Sequence, residues 1–184
     1  MKILGLEGSS REDGNTEKLV KTILESAKVN GAEANFYKLT KMNISLYLGC
    51  FKCRETGTCV TDDDMKFLLE EIQTSDVIIL GSPVYMWQVS GQTKLFMDRL
   101  LPFMKPDFTT RLKGKKRLFL AFTQGNPDKN IFKTYFEYLE NLLSFLHYDV
   151  KGTIVATGTR DKNDILQQAH VIEKAREIGK NLTA

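Results

Sequence analysis

The repeated alternation of short apolar runs with stretches of helical period is the feature that most constrains how this chain can fold. Apolar runs of strand length occur at residues 3–6, 77–80, 118–122 and 154–156, with a weaker run at residues 35–39. Such unbroken runs are typical of strands that are covered on both faces, as in a parallel sheet. Parallel neighbours need long crossover connections, and the intervening segments are long enough to be helices. The sequence therefore predicts an α/β protein.

Five helices are predicted between and after these strands. Stripes of apolar residues at spacings of three and four cover residues 19–27, 132–146 and 165–178. Two more helices are predicted over residues 64–74, where acidic residues favour the first turn, and over residues 90–101, where Ser90 is the expected N-cap. We predict one domain over residues 1–184 with a flavodoxin-like fold. Its doubly wound five-stranded parallel sheet has the order 2-1-3-4-5, with helices on both faces.

The charge balance and the distribution of apolar residues argue against several classes of protein. The chain has 26 basic and 23 acidic side chains spread along its length, and this net charge of +3 gives no support for nucleic-acid binding. The apolar run at residues 1–6 is too short for a signal peptide, and no later run is long enough to span a bilayer. We therefore expect a cytoplasmic protein with no membrane and no nucleic-acid partner.

The first predicted strand is followed by a polar loop at residues 8–16, Gly-Ser-Ser-Arg-Glu-Asp-Gly-Asn-Thr. Open parallel sheets bind ligands beyond the carboxyl ends of their strands, where this loop lies. Its hydroxyls, guanidinium, amide and helix N-terminus suit a phosphate monoester. The alternative is a polar turn in which Asn15 or Thr16 caps the helix. The candidate phosphate ligands are Ser9, Ser10, Arg11, Asn15 and Thr16.

Other phosphate-binding motifs fit this loop less well. A Walker A loop ends in Gly-Lys-Ser or Gly-Lys-Thr, whereas Asn-Thr follows Gly14. A dinucleotide fingerprint needs Gly-x-Gly-x-x-Gly, and the glycines at positions 5, 8 and 14 have a different spacing. A phosphatase with a cysteine nucleophile would need a thiol in the loop, and the first cysteine of the chain is Cys50.

The segments after the third and fourth predicted strands carry side chains that suit a flat ligand. Residues 81–92 place Tyr85, Met86 and Trp87 where a loop would normally be polar, and a flat apolar ligand would explain them. They could equally pack against a partner subunit, and the two interpretations are compatible. Residues 123–126, Thr-Gln-Gly-Asn, offer polar groups to the edge of such a ligand.

Together these motifs resemble those of the NADPH-dependent FMN reductase and iron–sulfur flavoprotein families, over nearly the whole chain. The matching segments are residues 8–11, 14–16, 82–85, 90–94 and 98–99. The resemblance implies that Ser9, Arg11, Asn15 and Thr16 bind the phosphate of FMN. It implies that the isoalloxazine ring is bordered by Pro83, Val84, Tyr85, Met86, Trp87, Thr123, Gln124 and Gly125. It also implies a homodimer or a homotetramer.

The three cysteines, Cys50, Cys53 and Cys59, lie in residues 40–62, the longest stretch without a predicted element. Their spacing also resembles the iron–sulfur flavoproteins, which implies a [4Fe–4S] cluster with these cysteines as metal ligands. Tyr47 stands where that family has its first cluster cysteine, so one of the four thiolates is missing, and we expect iron to be held weakly or not at all. The alternatives are a cluster with an outside ligand and a zinc site with a fourth ligand.

These features predict an FMN-dependent oxidoreductase that takes electrons from NAD(P)H and passes them to a small-molecule or protein acceptor. The flavin carries the chemistry, so no side chain is assigned as a catalytic acid or base. The rival hypothesis is an electron carrier that works between protein partners without a nicotinamide site. Such flavodoxin-like carriers tend to be strongly acidic, whereas this chain has a pI near 8.7.

Overall fold

The computed structural model describes residues 1–183 and contains six strands. They are β1 (Lys2–Glu7), β2 (Glu33–Lys38), β3 (Val77–Tyr85), β4 (Gln88–Val89), β5 (Lys116–Thr123) and β6 (Tyr148–Ala156). Five of them form a parallel sheet in the order β2-β1-β3-β5-β6, and the short β4 pairs with β3 in the antiparallel direction. Because β5 and β6 are the fourth and fifth parallel strands along the chain, the predicted order 2-1-3-4-5 is confirmed.

Six α-helices accompany the sheet. They are α1 (Asn15–Val29), α2 (Lys52–Thr56), α3 (Met65–Thr74), α4 (Gly91–Asp98), α5 (Lys133–Phe145) and α6 (Ala169–Leu182). One hydrophobic core joins the sheet to α3, α4 and α5, through residues such as Leu68, Phe96 and Leu139. A second core joins it to α1 and α6, through Ile23 and Ala175. The predicted arrangement with helices on both faces is therefore confirmed. Within residues 1–183, no helix is long and apolar enough to cross a bilayer.

Two predicted helices have bounds that differ from those expected. The helix predicted over residues 90–101 ends at Asp98, and a 3-10 turn follows at Leu101–Phe103, where Pro102 cannot donate a helical hydrogen bond. The helix predicted over residues 165–178 begins only at Ala169, because Asp164–Gln167 form a separate 3-10 turn. Ile165 is fully buried in that turn. The prediction that this apolar residue is buried is therefore correct, whereas the prediction that it lies in the helix is wrong.

Strand β3 is longer than its apolar run indicates, and this changes the nature of the segment after it. Pairing with β5 continues as far as Pro83, opposite Thr123. Val84 and Tyr85 then pair with β4, so the predicted loop is a strand that turns into a β-hairpin. The apolar run ends at Leu80 because the next two residues meet the starts of helices: Gly81 leaves room for Val20 of α1, and the Ser82 hydroxyl accepts from the Ser90 N–H over 3.0 Å.

Candidate functional site

A cavity of about 270 Å³ opens at the carboxyl ends of β1, β3, β5 and β6. The adjacent strand ends bring four separate segments of the chain together at this point, as expected for an open parallel sheet. The residues that line it are Ser9, Arg11, Asn15, Thr16, Pro83, Val84, Tyr85, Thr123, Gly125, Thr159 and Arg160. Nine of these were predicted from the sequence, whereas Thr159 and Arg160 were not.

The polar end of the cavity is formed by residues 8–14, which we call the phosphate loop, and by the first turn of α1. The loop folds on itself, since the Arg11 N–H donates to the Ser9 hydroxyl over 3.1 Å. Helix α1 starts at Asn15 without a side-chain cap, so the N–H groups of its first turn remain available to an anion. The predicted alternative, in which Asn15 or Thr16 caps the helix, is therefore not observed.

Helix α4 holds the phosphate loop from behind. The Ser90 hydroxyl, which caps α4 as predicted by accepting from the Thr93 N–H, also donates to the Gly8 carbonyl over 2.6 Å. A β-carbon at Gly8 would lie 2.0 Å from the Thr93 hydroxyl oxygen and 2.9 Å from that of Ser90. Only glycine fits between the loop and the helix, so Gly8 sets the distance between them.

Two arginines from opposite ends of the sequence flank the cavity. The Arg11 guanidinium donates to the Arg160 carbonyl, and the Arg160 guanidinium donates to the Gly125 carbonyl over 3.1 Å. Both side chains keep further N–H groups for an anion. Thr159 and Arg160 follow β6, and the sequence contained a usable signal for them. They come soon after the last apolar run, which ends at the same sheet edge as the other loops.

Not every predicted site residue faces the cavity with its functional group. The Asn15 side chain donates to the Asp161 carbonyl over 2.8 Å and accepts from the Ile165 N–H over 3.2 Å, so it ties α1 to the segment after β6. Gln124 is buried and donates to the carbonyls of Asn126 and Asp128, which fixes the turn after β5. The cavity lining does not include Ser10, Met86, Trp87 or Gln124.

The hairpin between β3 and β4 displays Met86 and Trp87 at its tip. Both have positive φ angles, 45° and 66°, as a two-residue type I′ turn requires. This conformation is unfavourable for residues other than glycine, asparagine and aspartate, and both side chains are largely exposed, 85% and 66%. The hairpin thus holds two large apolar groups in water beside the Tyr85 wall of the cavity.

A buried charge network lies beneath the phosphate loop. The Lys38 ammonium donates to the Arg11 carbonyl over 2.6 Å and to the Glu17 carboxylate over 2.9 Å. Glu7, at the end of β1, is fully buried and accepts from the Ser9 N–H over 2.7 Å. Burial is the main reason why the pKa of Glu7 is raised to about 7. The loop therefore rests on groups whose charge affects any anion bound above it.

The cavity residues fit FMN. Two guanidinium groups, several hydroxyls and a helix N-terminus suit a phosphate, and Pro83, Val84 and Tyr85 provide an apolar wall for a flat ring. The hydroxyls of Thr16 and Thr123 lie 2.7 Å apart and give further polar contacts between these two regions. This combination of a dianion-binding end and an apolar wall in one cavity matches the two ends of the cofactor.

Residues 40–62, which contain the three cysteines and which we call the cysteine segment, do not fit a [4Fe–4S] cluster. Among the residues described, no group of three cysteine, histidine or acidic side chains is gathered as a metal site would require. Cys50 is exposed, Cys53 is buried and Cys59 is partly buried, and none of the three is in a disulfide. Residue 47, where the family resemblance implies the fourth thiolate, is a tyrosine.

Three arginines anchor the cysteine segment to the rest of the chain. Arg99 is almost fully buried, pairs with Asp63 at 2.8 Å and donates to the Cys59 sulfur over 3.3 Å. Burial tends to raise the pKa of Cys59, but hydrogen bonds from Thr61 and Arg99 outweigh it and leave the pKa below its usual range. Arg111 donates to the carbonyls of residues 54 and 55, and Arg54 to those of residues 105 and 106.

Comparison with known proteins agrees with this geometry. Residues 1–130 match the family model described as NADPH-dependent FMN reductase. The chain is 33% identical over 190 aligned residues to an iron-sulfur flavoprotein of Methanocaldococcus jannaschii, covering 99% of this chain and 95% of that protein. It is 27% identical to a putative NAD(P)H-dependent FMN-containing oxidoreductase of Bacillus subtilis, and the match covers 100% of this chain and 99% of that protein.

Among solved structures, the NAD(P)H:quinone oxidoreductase from Methanothermobacter marburgensis has a similar fold, with a TM-score of 0.80. The superposition covers 100% of this chain and 98% of that one, at 16% sequence identity. At such low identity the likeness establishes the flavodoxin-like fold and nothing finer. The family follows instead from the sequence matches. This chain belongs to the NADPH-dependent FMN reductase family of flavodoxin-like oxidoreductases and has iron-sulfur flavoproteins among its relatives.

Proposed function

We propose that this protein binds FMN in the cavity above β1, β3, β5 and β6 and uses it to oxidise NAD(P)H. The observation that carries the proposal is the composition of the cavity, which joins two arginines and a helix N-terminus to an apolar wall. When bound, the flavin supplies the redox chemistry by taking up a hydride from the reduced nicotinamide and passing electrons to an acceptor. The protein contributes binding, orientation and electrostatics.

Each part of the cavity has a distinct role in this proposal. Arg11, Thr16 and Arg160 hold the phosphate with charge-assisted hydrogen bonds, and the first turn of α1 adds its N–H groups. Pro83, Val84 and Tyr85 pack against the ring system and exclude water from one side. Thr123 and Gly125 lie at the carboxyl end of β5, where they border the ring. Asn15 and Gln124 act as positioning residues because their side chains hold the surrounding turns.

The acceptor side of the site is the open edge beside the hairpin. Met86 and Trp87 are exposed there and can contact a flat molecule that approaches the ring. Quinone and azo compounds are flat substrates named for structurally similar proteins. We propose a small-molecule acceptor of this shape, with an electron-transfer protein as the competing assignment.

The second proposed property is a homodimer or a homotetramer. Several large apolar side chains are exposed, among them Leu46, Leu48, Met86 and Trp87, and a second copy of the chain would cover such side chains. Light scattering after gel filtration tests this directly, and a monomer at micromolar concentration would contradict it.

We also propose a cytoplasmic location, where three unpaired thiols stay reduced.

Anaerobic titration tests the proposed activity. Purified protein is loaded with FMN, and NADH or NADPH is added while the flavin absorbance is followed. Bleaching within seconds, followed by rapid reoxidation with a quinone or an azo dye, is the expected result. A protein that binds FMN but is not reduced by either nicotinamide would instead be an electron carrier.

A further inference from the structure

Glu7 is a carboxyl group in an unusual position, directly beneath the proposed phosphate site. It is the last residue of β1, and its side chain is fully buried. One oxygen accepts from the Ser9 N–H over 2.7 Å, and Ser9 lines the cavity. The other oxygen is buried and has no hydrogen-bond partner within residues 1–183. A buried carboxylate with an unpartnered oxygen is costly unless it is neutral or strongly paired.

The charged groups around Glu7 compensate its charge only in part. Lys38 of β2 approaches the unpartnered oxygen to 3.9 Å, but the same ammonium lies 2.9 Å from Glu17 of α1 and 3.6 Å from Glu12 of the phosphate loop. Lys21 and Lys41 also pair with Glu17 and Glu12, and neither forms an ion pair with Glu7. Glu7 therefore shares one cation with two other carboxylates and is the most deeply buried of the three.

We propose that Glu7 is a positioning residue that couples FMN binding to a proton, so that the site takes up the phosphate dianion and a proton together. The inference rests on the proposed phosphate site. Glu7 fixes the Ser9 N–H and with it the phosphate loop, and its own negative charge would oppose a dianion bound above that loop. Protonation removes this repulsion while the hydrogen bond from Ser9 can remain.

The sign of the effect follows from linkage. In the free protein the pKa of Glu7 is about 7, mainly because of burial, and a bound dianion raises it further because like charges disfavour ionisation. The bound state then holds more protons than the free state above pH 7. The affinity for FMN must therefore fall as the pH rises above 7, by up to about tenfold per pH unit for one coupled group.

The test compares FMN and riboflavin dissociation constants between about pH 6.5 and 8.5, measured by flavin fluorescence quenching. We expect the wild-type constant for FMN to rise about three- to tenfold more across this range than that of Glu7→Gln. The second charge of the FMN phosphate develops at about pH 6 and affects both proteins equally. Riboflavin, which lacks the phosphate, should show little difference between them.

Glu17→Gln is the matched control. Glu17 also pairs with Lys38, but hydrogen bonds from Lys21 and Lys38 outweigh its burial and hold its pKa below the ordinary range. It stays ionised over the whole titration, so its replacement removes no titrating group. It does remove a charge that raises the pKa of Glu7, so the fall in FMN affinity should move to lower pH but persist. An equal loss of pH dependence in both variants would assign the effect to the charge cluster as a whole and overturn the specific role of Glu7.

Calorimetry of the unmodified protein gives a second measurement that does not depend on a variant folding. FMN binding near pH 7.5, repeated in buffers of different ionisation enthalpy, should show uptake of a fraction of a proton, whereas riboflavin binding should not. Equal affinity for FMN and riboflavin would refute the phosphate site and this inference with it. Preference for FMN with no proton uptake, and with parallel pH profiles for wild type and Glu7→Gln, would refute the inference alone.

Discussion

The hydroxyl of Thr16, in the first turn of α1, lies 2.7 Å from the hydroxyl of Thr123 at the end of β5, although β3 lies between β1 and β5 in the sheet. Gly81 makes this reach possible. A β-carbon there would lie 2.4 Å from a methyl carbon of Val20 and 3.2 Å from the Thr16 methyl. The start of α1 thus packs closely on β3 and connects two parts of the proposed FMN site.

Removal of either hydroxyl should destabilise the protein, because it breaks the hydrogen bond between Thr16 and Thr123. Thr16→Val and Thr123→Val keep the shape of the side chain, and each should lower the free energy of unfolding by about 1 kcal/mol, since each leaves a buried hydroxyl unpaired. Urea denaturation of the single and double variants measures this. The double variant should cost less than the sum of the single ones, and strict additivity would show that the hydrogen bond contributes nothing.

Replacement of the cavity arginines should weaken FMN binding selectively. Arg11→Ala and Arg160→Ala each remove charge-assisted hydrogen bonds to the phosphate, and each should raise the dissociation constant for FMN by about ten- to a hundredfold. Riboflavin binding should change much less. Arg176→Ala is the control, because Arg176 is exposed on α6, where it pairs with Glu173 of the same helix. Equal losses for FMN and riboflavin would place the phosphate elsewhere.

Trp87 provides an internal probe of the hairpin. It is the only tryptophan in the sequence and is 66% exposed at the tip of the turn. If the hairpin borders the flavin ring, saturation with FMN should quench most of its fluorescence, since an aromatic ring in contact with a flavin transfers its excitation efficiently. Free tryptophan at the same concentration corrects for absorption by FMN. An unchanged emission intensity would show that the hairpin faces away from the cofactor.

The cysteine segment should retain little iron. Anaerobic reconstitution with iron and sulfide, followed by gel filtration, should leave far fewer than the roughly four iron atoms per chain of a complete [4Fe–4S] cluster. Flavin reduction by NAD(P)H should be unaffected by a chelator. Tyr47→Cys restores the fourth thiolate and is the matched comparison. Stable binding of about four iron and four sulfide per wild-type chain would contradict the prediction.

The ionisation of Glu7 should also lower the stability of the apoprotein at alkaline pH. Its pKa is raised to about 7 in the folded state and is near its ordinary value when unfolded, so the folded state binds more protons between these values. Stability therefore falls as the pH rises through this window. Glu7→Gln should raise the free energy of unfolding by about 1–3 kcal/mol at pH 8 and by much less at pH 5. Equal effects at both pH values would exclude this ionisation.

The sequence by itself predicted the order of strands and helices, and from it the sheet order. An unbroken apolar run such as residues 118–122 indicates a strand that is buried on both faces. An apolar stripe such as that in residues 19–27 indicates a helix that is buried on one face. It also predicted most of the cavity. Loops that follow parallel strands must meet at one edge of the sheet, whatever their distance along the chain.

Only the tertiary structure decided which atoms face the cavity and which hold it in place. Thr159 and Arg160 line the cavity because β6 ends beside β5. The Asn15 amide donates to the segment after β6. The charge environment of Glu7 beneath the phosphate loop comes from Lys38 of β2 and Glu17 of α1, two other elements that the fold brings beside the end of β1. Such long-range pairing has no local period, so periodicity and spacing cannot reveal it, and the electrostatics of the site follow from it.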